Sequence, residues 1–348
     1  AHQLALDYYL AHLPVPPWES LEDLKEYLEA FYHAGALGEW QLAYDILNED
    51  RGGEEKDKSV NSFLDLQGFY RKQADHYEQV IAGSQREQVC YRNSLSYLGS
   101  CYRSLGQYEK AITYHRQCFY ISKEIEDWQG VATSLCGLGN CYKSLGQYEK
   151  AIFYHQKCHD ISEAMGYRRG VAISLGNLGN CYYDLVQYEK AIDLYQQYHD
   201  ISEKIRFRQG VAISLGNLSN CYNCLGQYEK AIAYHQQSLD ISEKIGDWQG
   251  VASSLHTIGS ILLKLENYSE AERKIQASLV ISQDIGYKYL IAYSLRVLAK
   301  IAHKTNRPEL ALRHCQQALK LCQELGIPLV KECEELLGQI QGDVADNL

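Results

Sequence analysis

The chain has 348 residues, of which 46% are hydrophobic and 22% charged, with a formal net charge of −10. That apolar content excludes an intrinsically disordered chain, and no apolar run reaches the roughly 20 residues that a membrane-spanning helix needs. Five prolines favour long helices, and twelve cysteines in a chain this rich in apolar residues read as reduced thiols of a cytoplasmic protein, not as a disulfide framework.

The chain opens at Ala1 and its single methionine is Met165, which suggests a piece excised from something longer. Residues 1–90 read as a helical lead-in. After the break at Pro14–Pro17, residues 20–48 place Gly38, Glu39, Trp40 and Ala43 at the spacing of a turn followed by a helix. The charged, glycine-containing stretch near 49–59 predicts a loop, and residues 60–83 predict a second irregular helix pair. Residues 19–58 hold twelve Asp/Glu against four Lys/Arg, whereas residues 285–320 hold seven Lys/Arg against the single acid Glu309. Acidic at one end and basic near the other, the chain does not have the charge distribution of a general nucleic-acid binder.

From residue 91 the sequence repeats. Leu98-Gly99-Ser100-Cys101-Tyr102 returns at Leu138, at Leu178 and, altered, at Leu218. Gly106-Gln107-Tyr108-Glu109-Lys110-Ala111-Ile112 recurs at 146–152 and 226–232, and at 186–192 with Val186 in place of the glycine. Each return comes 40 residues later, and weaker copies follow at Ile258 and Leu298. Within a unit, Leu95, Leu98, Tyr102 and Leu105 mark one helix and Ala111, His115, Cys118 and Ile121 the next. Gly106 sits at the turn between them, and Gly99 and Ala111 are small where two helices must approach closely. Gly130, Gly170, Gly210 and Gly250 punctuate the passage to the next unit. Residues 327–348 read as a closing helix, Val330 to Ile340, and a tail.

Leu95, Leu98, Gly99, Tyr102, Gly106, Tyr108, Ala111, His115 and Cys118 stand at the spacing of the tetratricopeptide repeat (TPR) consensus, which this chain resembles in a 40-residue form over six units, 91–326. The long unit is similar to the arrays of Pins/LGN scaffold proteins and to those of bacterial signalling proteins with STAND-type NTPase or caspase-like domains. The resemblance implies an all-α fold, a right-handed superhelix of antiparallel helix pairs, whose first helices line a concave groove for partner segments. It also implies that the residue after the signature glycine faces that groove. Here this position reads Ser100, Asn140, Asn180, Asn220, Ser260 and Lys300, and four residues earlier come Ser96, Cys136, Gly176, Gly216, His256 and Arg296. Gly176 and Gly216 within helices need a reason, either room for a ligand or contact between neighbouring first helices. Lys143, Tyr183 and Asn223 add side-chain contacts. Arg296, Lys300 and Lys304, spaced i, i+4, i+8, share a face suited to an acidic group.

Catalytic motifs do not emerge: there is no GxxxxGK[ST], HExxH, EF-hand loop or dinucleotide GxGxxG. Cys101, Cys141, Cys181 and Cys221 fall on successive equivalent helices, at least 8–10 Å apart, too far for zinc bonds of about 2.0–2.3 Å. His115, His155 and His235 follow the same logic, and Cys221 with Cys224 forms a lone CxxC. Trp128, Tyr167, Phe207, Trp248 and Tyr287 form an aromatic edge in the inter-unit loops, with Arg168, Arg169, Arg206 and Arg208 covering aromatic faces. The expectation is a non-catalytic interaction module without metal or cofactor, binding a peptide or helical segment with an acidic end. The alternative is the sensor of a larger signalling protein that controls an attached effector. Head-to-tail self-association, basic end on acidic lead-in, is a third expectation.

Overall fold

The computed structural model describes residues 1–14, 16, 18, 20–49, 59–66, 69–85, 89–327 and 329–346. The predicted loop near 49–59 falls almost wholly on residues outside that set. Every regular element among the described residues is helical. The lead-in contains α1 (His2–Ala11), a short 3-10 turn, α2 (Lys25–Ala36), α3 (Trp40–Asn48), α4 (Val60–Leu66) and α5 (Tyr70–Gly83). The repeats supply α6 (Val89–Ser104), α7 (Tyr108–Glu124), α8 (Trp128–Ser144), α9 (Tyr148–Ala164), α10 (Arg168–Asp184), α11 (Tyr188–Lys204) and α12 (Arg208–Cys224). They continue as α13 (Tyr228–Lys244), α14 (Trp248–Lys264), α15 (Tyr268–Asp284), α16 (Lys288–Lys304) and α17 (Pro308–Leu325), closed by α18 (Leu329–Asp346).

The 40-residue period has a simple origin in two 17-residue helices, such as α8 and α9, each followed by a three-residue link. The middle residue of every link is left-handed, as at Gly106 (φ 73°), Glu126 (φ 56°), Gly146 (φ 70°) and Gly166 (φ 65°). That conformation lets the next backbone N–H groups return to the helix end: Gly106 N donates to Arg103 O at 3.0 Å and Gln107 N to Tyr102 O at 2.8 Å. Gly130, Gly170, Gly210 and Gly250 are therefore not the link residues. Each lies in the first turn of a helix, where the preceding helix presses close. A Cβ on Gly130 would stand 2.5 Å from Ser122 Oγ, and one on Gly170 would stand 2.7 Å from Ser162 Oγ.

The chain forms two compact units, one of residues 1–65 and 69–210, the other of residues 66–68 and 211–348, with the main boundary inside α12. In the first, α1 packs on α2, α2 on α3, and α3 on α5 and α6, which leads into the pairs α6/α7, α8/α9 and α10/α11. One core runs from Leu6 through Leu98 and Leu138 to Cys181. The consensus tyrosines stack pairwise, Tyr102 on Tyr114 and Tyr142 on Tyr154, with ring centroids 5.5 and 5.3 Å apart. Lys110 and Lys150 lie over the outer faces of Tyr102 and Tyr142.

In the second unit α14 pairs with α15 and α16 with α17, and α18 packs on both α17 and α16. Leu329, Cys333, Leu336 and Ile340 of α18 are buried at helical spacing, packed on α16 and α17.

Candidate functional site

In the first unit, α6 touches α8 and α8 touches α10, whereas the second helices of the pairs stand further apart. The predicted site residues of this unit lie on these touching first helices, repeating at one register. Ser100 is exposed and Ser96, Asn140, Lys143, Asn180 and Tyr183 are half-buried. The side chains are not idle. Ser100 Oγ donates to Ser96 O at 3.2 Å. Asn180 Oδ1 accepts from the buried hydroxyl of Tyr195 at 2.7 Å, so this asparagine also holds the second helix α11. Lys143 Nζ reaches across from α8 to Asp184 Oδ2 on α10 at 3.1 Å. Tyr183 lies with its ring 5.5 Å from that of Tyr188.

Two members of this face escaped the sequence reading. Asp184 partners Lys143, and the amide of Asn177 stands 3.1 Å from the sulfur of Cys136. Hydrogen bonding with Cys158 pulls the Cys136 thiol well below its usual range despite burial, with His155 and Asn177 acting in the same direction. Neither residue stands at the consensus groove positions. Only the contact of α8 with α10 identifies them.

In the second unit the corresponding residues also form cross-helix bonds. Asn220 Oδ1 lies 3.5 Å from His235 Nε2. Lys264 Nζ donates to Asn223 Oδ1 at 3.0 Å. His256 Nδ1 stands 3.1 Å from Ser294 Oγ, and burial lowers its pKa to about 4. Arg296, 14% exposed, binds Glu332 of α18 at 2.6 Å, so the chain's own carboxylate already sits where an acidic group was expected. Lys300 is half-buried beside it, its pKa lowered by burial and by the charge of Arg296, while Lys304 is exposed.

Of the cysteines and histidines set aside on sequence grounds, Cys224 is exposed and the others are core. Cys101, Cys141, Cys181 and Cys221 are buried, and burial raises their pKa values to about 12, 11, 11 and 12. His115 fills the space that Gly99 and Gly137 leave, since a Cβ on them would stand 2.7 and 2.4 Å from its ring. Burial holds the pKa values of His115 and His235 at about 4. Among the described residues no three His, Cys, Asp or Glu side chains stand close enough to hold a metal ion. Of the aromatic edge, Trp128 and Trp248 open helices and Tyr167 and Phe207 precede them. Arg169 stacks on Phe207 at 4.3 Å, covering an aromatic face, whereas Arg168 instead forms an exposed ion pair with Glu163 at 3.2 Å. No helix of the described residues is long and apolar enough to cross a membrane.

The sequence profile of the tetratricopeptide repeat matches residues 91–164, 170–244, 210–279 and 250–324, more than half of the chain. Among solved structures, the fold is shared with a Rap protein complexed with competence and sporulation factor. That match has 13% identity and a TM-score of 0.58, and covers 100% of this chain and 99% of that one. It is shared with a STAND protein with a tetratricopeptide repeat sensor from Pyrococcus horikoshii, at 18% identity and a TM-score of 0.56, covering 97% of this chain and 55% of that one. Aspartyl phosphate phosphatase F from Bacillus subtilis matches at 14% identity and a TM-score of 0.53, covering 94% and 95%. Identities at this level show a common fold and nothing more. No curated protein sequence matches the chain.

Proposed function

Because the chain belongs to the tetratricopeptide repeat family, a family of protein-interaction arrays, we propose that it binds a segment of a partner protein along the inner face of its first helices. The observation that carries this reading is the row of small polar side chains at one register position on three touching helices, Ser100, Asn140 and Asn180. Flat, narrow side chains leave room for a backbone to lie across the helices, and an asparagine amide can donate to a peptide carbonyl. Lys143 and Tyr183 flank the row. In the second unit Asn220, Asn223 and His256 form the corresponding row, and Arg296, Lys300 and Lys304 supply positive charge for a ligand carboxylate. Such a ligand would compete with Glu332.

The test must spare the fold. Because Asn180 accepts the Tyr195 hydroxyl, alanine there would strand a buried donor. Asp keeps the acceptor and removes the amide. Affinity capture from native lysate, comparing wild type with Asn140→Ala/Asn180→Asp, should lose the partner, each lost hydrogen bond costing about 1–2 kcal/mol. A partner held equally by both proteins places recognition elsewhere.

A second reading, in which the chain is the sensor of a larger switch, draws on its spanning 55% of the Pyrococcus horikoshii protein that carries such a sensor. A coding region that extends upstream into a GxxxxGK[ST] motif would decide for it, and a start codon just before Ala1 would remove it.

A further inference from the structure

The outer side of the first unit holds a cleft that the inner-face reading does not use. Between α7 and α9 a groove of about 410 Å³ opens over α8. Its floor is aliphatic, made of Val131, Leu135 and Leu138, all buried. Its rim is aromatic and unusually exposed: Tyr120 is 61% exposed, Phe153 54% and Trp128 46%. Arg116, Lys123 and Lys157 complete the walls, and among the described residues lining the groove none is acidic. Arg116 is steadied by donating to Tyr142 at 3.1 Å, and Lys157 lies 5.8 Å from the centre of the Phe153 ring.

The repeat itself supplies an internal control. At the positions of Tyr120 and Lys123, the next three units carry Asp160 and Glu163, Asp200 and Glu203, Asp240 and Glu243. At the positions of Phe153 and Lys157, the unit before carries Thr113 and Gln117, and the units after carry Asp193 and Gln197, then Ala233 and Gln237. The array's ordinary surface here is a glutamine bonded to an aspartate one turn on, as in Gln156–Asp160 and Gln196–Asp200, each at 2.9 Å. The fold therefore does not need bulk or positive charge at these sites. One groove has replaced both, reversing sign in a chain of net charge −10.

We propose that this groove binds an acidic segment of a partner protein, with a bulky aliphatic or aromatic side chain inserted between Tyr120 and Phe153 and flanking carboxylates meeting Lys123 and Lys157. Charge complementarity selects the acidic flanks, and the apolar floor selects the anchor. A nucleic acid would call for a continuous positive track, whereas here three cations surround an aliphatic pit. The site is independent of the inner-face reading.

The probe is a random 12-residue peptide library selected on the full chain, with the enriched peptide then titrated by fluorescence polarisation. Two variants borrow residues from neighbouring units, so they keep the fold: Tyr120→Asp/Lys123→Glu and Phe153→Thr/Lys157→Gln. The expected winners combine two or more carboxylates with one bulky apolar residue, bind more weakly as salt rises, and shift Trp128 emission to the blue. Each variant should weaken binding about tenfold or more, the equivalent of 1.4 kcal/mol, while Asn140→Ala/Asn180→Asp binds as wild type does. Failure to enrich any peptide, winners without acidic residues, or binding by both groove variants as tight as that of wild type overturns the proposal. So does tighter binding of anionic phosphatidylserine vesicles or of oligo-dT by wild type than of any peptide. Loss only in the asparagine variant would return the ligand to the inner face.

Discussion

Gly176 and Gly216 occupy the same position in consecutive units, yet their alanine substitutions are expected to act in opposite directions. Replacing a helical glycine by alanine gains about 1 kcal/mol through backbone entropy wherever the methyl fits. At Gly216 it fits: the nearest atoms to an added Cβ are His235 Cε1 at 3.7 Å and Ser238 Oγ at 3.9 Å, ordinary contacts. Gly216→Ala should stabilise by about 1 kcal/mol. At Gly176 the Cβ would stand 2.9 Å from Cδ1 and 3.0 Å from Cε1 of Tyr198. That ring is 4% exposed and packed with Val171, Ala172 and Leu175, so it has little space to retreat. Overpacking of about 1–3 kcal/mol offsets or exceeds the entropic gain, leaving Gly176→Ala neutral to about 2 kcal/mol destabilising. Urea titrations followed by helical circular dichroism, with amide exchange to localise the change to α10, would measure both. A double-mutant cycle with Tyr198→Ser installs the Gly216/Ser238 arrangement one unit earlier. It should show a favourable coupling of about 1–3 kcal/mol between Gly176→Ala and the smaller side chain. Equal stabilisation by Gly176→Ala and Gly216→Ala would refute the packing account and revive room for a ligand as the reason for both glycines.

Val186 holds φ 60° where the equivalent links of three other units have Gly106, Gly146 and Gly226, and it is 66% exposed. Val186→Gly should therefore raise the urea midpoint, by about 1–2 kcal/mol of relieved strain with almost no packing lost, and a lowered midpoint would contradict it. Burial keeps His76, His115, His235 and His256 neutral in the fold, with pKa values of about 4. The unfolded chain takes up these protons near pH 6.5, so stability is complete above that pH. It falls as pH drops from 6.5 to 4, by up to about 3 kcal/mol for each histidine. Thermal melts at pH 7 and pH 5 should show the loss, His115→Leu should reduce its slope, and equal melting temperatures would remove the idea. Glu332→Gln should free Arg296 and raise affinity for acidic peptides at the second unit several-fold in polarisation assays, whereas unchanged affinity would show that Arg296 serves only to fasten α18.

The sequence alone determined the helical pairs and their 40-residue period, because each is a local property. Apolar spacing marks the faces of α6 to α17, and small residues such as Gly99 and Ala111 mark where helices meet. It also puts Ser100, Asn140 and Asn180 at one register position, since a strict repeat returns the same position to the same turn of each first helix. The departures from that repeat at Tyr120, Lys123, Phe153 and Lys157 were equally present in the letters. Their meaning was not, because Tyr120 and Phe153 belong to different helices, and a groove exists only once α7 and α9 stand apart over α8. The reason for Gly176 was hidden for the same cause: Tyr198 fills its space from the next helix along the chain. Glu332 on Arg296, Asp184 on Lys143 and Tyr195 on Asn180 are likewise contacts between helices. Periodicity determines which way a side chain points. Only the packed array decides what it meets there, because that depends on the neighbouring helix and not on its own.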